Sequence, residues 1–201
     1  MKSIPVLALL LLLGAQAASS AAPSPSPSAS AAPGPSASPS PPPAPTPPVI
    51  AKIFSVVTPR QLIVLLPDPP PGWGADKPDG STSDSTGFAI TTVGCVYVDG
   101  TADNASTATV NIIDSANNQQ FQDATKAMWS GTSSTPEGYD KTVSVNGLPG
   151  FEHYANATQT GALWVVVAGR FFVQVETTRL PATDLEDWLG RIDLKRLSTL
   201  K

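Results

Sequence analysis

Cysteine and histidine are nearly missing from this sequence: the 201 residues hold one of each, Cys95 and His153. A single cysteine excludes an internal disulfide. One cysteine with one histidine cannot supply the three or four soft or imidazole ligands of a zinc site. A hydrolase triad would have only His153 to draw on as its base. Basic residues are also few, with 12 Lys and Arg against 16 Asp and Glu. They form no cluster suited to phosphate backbones, which argues against a nucleic-acid partner. No Gly-rich phosphate loop, G-x-S-x-G elbow or H-E-x-x-H helix occurs, so no cofactor is expected.

Long apolar runs are scarce as well. The clearest, Ile4 to Leu13, is too short to span a bilayer comfortably, since a spanning helix needs about 20 apolar residues. It follows Lys2 and precedes Ala15-Gln16-Ala17, the charged, apolar and small-residue order of a secretory signal. Residues 1–17 are therefore expected to be a signal peptide that exports the chain to a periplasmic or extracellular space. After cleavage no membrane-spanning segment is expected. Left uncleaved, the same run would act as a weak anchor. No cysteine lies near Ala17 to take a bacterial lipid.

From Ala18 to Pro48 charge and aromatic residues vanish, and Ala, Pro, Ser, Gly and Thr make up the whole segment. Such a stretch cannot bury enough apolar surface to offset its ordering entropy. Its prolines favour extended polyproline II at ~3.1 Å per residue, a reach on the order of 90 Å. Residues 18–48 thus read as a disordered tail or linker: a spacer if the signal is retained, a free tail if it is removed. The Ser/Thr-Pro content also suits O-linked sugars.

What is present begins at Val49. Residues 49–201 have the size of one domain. They hold all 16 acidic and 11 of the 12 basic residues, a net charge of −5. Thr58-Pro59-Arg60-Gln61 starts a helix with an N-cap, a first-turn proline and a capping-box glutamine. Leu62, Ile63, Leu65 and Leu66 give it an apolar face, and Pro67, Pro69, Pro70 and Pro71 end it. Trp73 is expected to anchor the start of the main fold, and the polar residues 75–86 to form a loop.

Phe88 to Val98 reads as a strand, followed by the turn signals Asp99-Gly100 and Asp103-Asn104. Ser106 to Asp114 alternates, with Ala108, Val110 and Ile112 on one face. Asn118 to Trp129 reads as a helix with Phe121, Ala124 and Met128 at helical spacing. Gly131 to Gly138 reads as a loop. Lys141 to Asn146 and Phe151 to Ala155 read as strands joined through Asn146-Gly147 and Leu148-Pro149-Gly150.

The clearest hairpin is Ala162 to Thr177 around a two-residue Gly169-Arg170 turn. That register sets Trp164 opposite Val175, Val166 opposite Val173 and Ala168 opposite Phe171. Both faces are apolar near the turn, which predicts a central hairpin covered twice. The two later helices would cover one side and the Leu62–Leu66 segment the other. A second subunit is the alternative cover, which would make a homodimer. Thr183 caps a final helix whose buried stripe is Leu185, Trp188, Leu189 and Ile192; Arg191, Lys195 and Arg196 lie near its negative end. Mixed helix and strand signals without βαβ alternation predict an α+β domain, an antiparallel sheet packed against helices.

This order of elements, with Val145-Asn146-Gly147-Leu148-Pro149-Gly150 inside a hairpin, resembles PsbP-like domains over about residues 73–199. The chain also looks like an uncharacterised bacterial exported protein. The PsbP-like resemblance implies an α/β/α sandwich, as in extrinsic photosystem II subunits and bacterial exported proteins. It also implies a non-catalytic binding or assembly role. It carries over no functional residue.

Chemistry-bearing residues are few. Alternation along an extended strand keeps His153 and Glu152 on opposite faces. His153 shares a face with Phe151 and Ala155, and a structural histidine bonded to backbone or water is expected. Asp76, Asp79, Asp84, Asp99 and Asp103 lie in loops that could offer hard oxygen ligands to calcium if they met; the alternative is ordinary solvated turns. Asn104-Ala105-Ser106 and Asn156-Ala157-Thr158 match the glycosylation sequon. Cys95, with no basic neighbour in sequence, is expected to be buried. An exposed lone thiol in an oxidising compartment would invite intermolecular disulfides.

Three functions remain open. The leading one is an exported non-enzymatic module that binds a protein or envelope component. The second is a small-molecule or lipid carrier with a cleft between sheet and helices, lined by Trp73, Trp164 or Trp188. The third is an enzyme built on carboxylates.

Overall fold

The computed structural model describes residues 55–201 apart from 86, 87, 102, 103, 117, 128 and 130. The expected signal peptide, the Pro/Ala/Ser segment, Asp103 and Met128 lie outside the described residues. The fold is α+β, as its sequence pattern predicts. Nine strands form one antiparallel sheet. In chain order they are β1 (Gly74–Ala75), β2 (Asp79–Ser85), β3 (Phe88–Asp99), β4 (Ser106–Asp114), β5 (Ser133–Thr135), β6 (Gly138–Val145), β7 (Leu148–Ala155), β8 (Thr160–Val167) and β9 (Phe171–Thr178). The helices are α1 (Pro59–Ile63), α2 (Gln119–Ala127), α3 (Thr183–Gly190) and α4 (Leu194–Leu197). Among the described residues no helix is long and apolar enough to cross a membrane.

The sheet is two meanders zipped together. Strands β2, β3 and β4 follow one another, as do β5 to β9, and β4 pairs with β9 to join the two sets. Continuous registers make rungs across the sheet. One runs Thr142, Phe151, Trp164, Gln174, Asn111, Gly94. Successive side chains alternate faces, so each rung belongs to one side.

The first face carries Val93, Cys95, Tyr97, Ala108, Val110, Ile112, Leu163, Val165, Val173 and Val175, all buried. It is covered by α1, α3 and α4. Leu62, Leu185, Leu189 and Leu197 have no exposed surface, and Trp188 has 3%. Tyr97 donates its hydroxyl hydrogen to the Pro67 carbonyl at 2.7 Å, which ties the segment after α1 to this face. Thus α1 lies on the same side as the terminal helices, not across the sheet from them. Among the described helices, α2 is the one on the second face. Phe121 and Trp129 pack edge-on against Phe172, with ring centroids 5.3 and 6.2 Å away.

Several expectations need correction. The loop expected over residues 75–86 is mostly strand where it is described: Gly74–Ala75 and Asp79–Ser85 pair with β3, whose outer side would otherwise lack partners. Ser133–Thr135 likewise pairs with β6. Leu148-Pro149-Gly150 belongs to β7, and the turn is Asn146-Gly147 alone, both at positive φ (53° and 80°). Pro149 has no N–H to donate, and the β7–β8 ladder stops one residue short of it, at Gly150.

The last hairpin has a three-residue connection, Ala168-Gly169-Arg170, and pairs Val167 with Phe171. The register is therefore Leu163 with Val175, Val165 with Val173 and Trp164 with Gln174. Along α2, Ala124 is exposed and Gln122 is buried, because Gln122 Nε2 donates to the Gly169 carbonyl. Thr183 is the first residue of α3 and no side chain caps that helix. Helix α3 ends at Gly190. Asp193 caps α4 by accepting the Arg196 N–H at 2.8 Å, so Lys195 and Arg196 belong to a separate helix.

Candidate functional site

Among the described residues, no helix lies over the part of the second face beyond α2. Its central rung places the half-buried Trp164 between Phe151 and Gln174. The Phe151 and Trp164 rings lie 6.3 Å apart at 38°. Next to them runs a line of polar side chains. Asn111 Nδ2 donates to Gln174 Oε1 at 3.5 Å, and Gln174 Nε2 donates to Glu176 Oε1 at 2.5 Å. Gly94 completes the rung, and a Cβ there would collide with Asn111 Oδ1; the glycine lets the amide lie flat on the sheet. Burial raises the Glu176 carboxyl above its usual range, and the bond from Gln174 opposes this more weakly. Asn111, Gln174 and Phe151 are themselves buried, so the half-buried Trp164 and Glu176 are the groups of this cluster that a partner reaches.

The neighbouring rung begins Asp140, His153, Ala162, Glu176. His153 Nδ1 lies 2.7 Å from Asp140 Oδ1, and Ser133 Oγ donates to Asp140 Oδ2 at 2.9 Å. These bonds hold the Asp140 carboxyl below its usual range, the one to His153 most strongly. His153 is therefore bonded to a carboxylate rather than to backbone. Serine, aspartate and histidine meet here in the wrong order for acyl transfer. The carboxylate sits between the hydroxyl and the imidazole, so the hydroxyl donates to Asp140 and not to the His153 ring that would have to take its proton.

Glu152 faces the other side, as alternation requires. It is 3% exposed, accepts the Tyr139 hydroxyl hydrogen and pairs with Lys141 Nζ at 3.2 Å. Burial, then the bond to Glu152, pushes the Tyr139 phenol far above its usual range.

The calcium candidates are not gathered. Asp79 and Asp84 stand at opposite ends of β2, opposite Gly94 and Ala89 of β3. Asp76 donates its N–H to the Val96 carbonyl, and Asp99 ends β3. Asp103 lies outside the described residues. Among those described, no group of three or more His, Cys, Asp or Glu could hold a metal ion.

The tryptophans do not line one cleft. Trp73 packs edge-on against Trp188 at 5.2 Å, Tyr97 lies 4.7 Å from Trp188, and Arg191 sits over the same ring at 5.5 Å. Trp164 is on the opposite face. Cys95 is buried at 4% exposure and its thiol points to the Asp76 carbonyl at 3.4 Å; burial raises its pKa. Both sequon asparagines, Asn104 and Asn156, are exposed. Asn156 lines an open groove of about 710 Å³ with Thr158, Thr160, Thr178 and Arg179.

Sequence reasoning placed Trp164 in an apolar set and missed the Asn111–Gln174–Glu176 line. The three residues come from two strands far apart in the chain, and only the β4–β9 pairing unites them. No family model, curated protein or solved structure matches the chain.

Proposed function

We propose that this chain is an exported, non-enzymatic binding or assembly module of the cell envelope, and that it meets its partner at the half-buried Trp164, on the sheet face that carries α2. The observation that carries this reading is the Phe151–Trp164 pair set beside Asn111, Gln174 and Glu176 on a face that α2 covers only at one end. Binding surfaces draw most of their energy from aromatic anchors bordered by polar groups. The export expectation at residues 1–17 and the PsbP-like order of elements support the same reading. The carboxylates take part in bonds within the fold: Asp140 to His153 and Ser133, Glu152 to Tyr139 and Lys141.

The test is cross-linking of the tagged, full-length chain in cells that export it. Wild type yields a discrete cross-linked species in the envelope fraction. Trp164→Ala, at an unchanged melting temperature, yields about ten-fold less, as the loss of an aromatic anchor predicts. A wild-type chain that cross-links to nothing, or a variant that cross-links equally well, overturns the reading.

A further inference from the structure

Beyond β5, no described strand pairs with the outer edge of β6, and the phase of its hydrogen bonds decides which backbone groups point off it. Asn156 donates its N–H to the Glu137 carbonyl at 2.8 Å, and Val145 closes on Leu148 across the two-residue turn. Antiparallel partners exchange bonds at alternate residues. Tyr139, Lys141, Val143 and Val145 therefore turn their backbone groups toward β7, and Gly138, Asp140, Thr142 and Ser144 turn theirs away. Gly138 and Asp140 meet Thr135 and Ser133 of β5. β5 reaches no farther. Thr142 and Ser144, both exposed, each present one N–H and one C=O beyond the end of β5.

This edge is complementary to itself. A second copy laid antiparallel, with Val143 on the two-fold axis, sets Thr142 against the copy's Ser144 and Ser144 against its Thr142. All four groups on each side are then bonded by the same four on the other, the requirement of an isologous contact. Two limits favour this register. A slip toward β5 drives the Asn146-Gly147 turn of one copy into β5 of the next, and a slip away from it takes Thr142 off its strand partner and onto the turn.

Exposed edges are usually guarded by proline, a bulge or a free charge, lysine above all. Lys141 to Val145 contains no proline or bulge. Its one charge, Lys141, is drawn onto the helix-covered face, 3.2 Å from Glu152 and over the Tyr139 ring at 4.6 Å. The opposite edge is guarded: β1 and β2 share the outer side of β3, and β2 carries exposed Asp79 and Asp84. Val143, Val145 and Leu148 pack half-buried against the edge of the core, while α3 lies chiefly over β8 and β9.

We propose that β6 pairs with β6 of a second copy of this chain, giving a two-fold dimer with one sheet continuous through both. The contact is independent of the Trp164 face and does not rest on the function proposed above. Val143 then meets its own mate at a non-hydrogen-bonded position, with Cα atoms about 4.5 Å apart, within the range a disulfide bridges.

The full-length V143C chain, oxidised by air with copper-phenanthroline, tests this directly. Two thiols form one disulfide and pass two electrons to oxygen, while buried Cys95 is sheltered from the oxidant. V143C is expected to trap a covalent dimer about ten-fold faster than T142C, whose residue lies diagonally from its mate. Adding Ser144→Pro removes an outward N–H, spares the bonds to β7 and abolishes trapping, with the melting temperature as the control for folding. V143C that cross-links no faster than T142C, or trapping that survives Ser144→Pro in a folded chain, overturns the proposal. In the first case the edge is left for an extended segment of a different protein.

Discussion

Asp114 accepts four hydrogen bonds while none of its surface reaches water. Val57 N–H (2.6 Å) and Ala116 N–H (2.9 Å) come from the backbone, and Arg170 Nε and Nη2 (2.7 Å each) close a bidentate pair. Arg170 also donates to the Ser55 carbonyl at 2.9 Å, so one ion pair fastens the start of the described chain to the end of β4 and the β8–β9 turn. Removing one partner of a buried pair strands the other charge. Asp114→Asn is expected to cost about 3 kcal/mol in urea unfolding, the lower end for such pairs because Arg170 keeps slight exposure. Glu176 works in the opposite sense. Its raised pKa means that the fold favours the protonated carboxyl. The associated stability is present below the ordinary carboxylate range and is lost as pH rises through the folded value. Glu176→Gln keeps an acceptor for Gln174 and is neutral at every pH. Its melting temperature should rise by about 2–4 °C at pH 7 and change little at pH 4; an equal effect at both pH values would assign the gain to packing instead. Neither site was legible in the sequence. Asp114 reads there as the polar end of a strand and Arg170 as a turn residue, and their meeting depends on a pairing between residues 56 positions apart.

Strand identity was legible at the scale of elements where one face is apolar and the other polar, as in β4. It failed in two informative ways. β2 reads Asp-Gly-Ser-Thr-Ser-Asp-Ser, a loop by composition, and becomes a strand because β3 offers it an open side; a polar sequence is what an outermost strand tolerates. The β8–β9 hairpin was found but its register was set one residue off. A one-residue slip exchanges the two faces of a strand. Here both faces are apolar near the turn, so alternation held no information on which set points to the helices. The turn itself decided it. Ala168 and Gly169 both take positive φ, 52° and 62°, and Arg170 donates its N–H to the Val167 carbonyl at 3.1 Å. An L-residue pays about 1–2 kcal/mol in this region, and only glycine escapes it. Ala168 is exposed, so little packing is lost with its methyl, and Ala168→Gly should stabilise the fold by about 0.5–1 kcal/mol. Chemical denaturation that shows a loss instead would mean that the alanine methyl or the stiffer unfolded chain matters more than the strain.

The whole molecule is held at one seam. β4 and β9 lie at the centre of the sheet, and their pairing is where the β2–β4 meander meets the β5–β9 meander. The apolar residues there are fully buried: Val110, Ile112, Phe171, Val173 and Val175 have no exposed surface. The helix layer spans the same seam, since Leu62 and Leu65 of the first segment and Leu185, Trp188 and Leu189 of α3 share one core cluster with both meanders. Neither meander therefore buries its apolar face without the other, and the two should unfold together. Hydrogen exchange should protect the amides of Val110 to Ile112 and Val173 to Val175 most, at the free energy of global unfolding. Those of β1, β2 and β5 at the sheet edges should exchange by local opening. Val173→Ala tests the coupling: it should lower the single transition by about 2–3 kcal/mol and weaken protection in Cys95 and Val165 alike, although these lie on opposite sides of the seam. Two resolved transitions, or a loss of protection confined to β5–β9, would show that the meanders fold independently and that the seam only docks them.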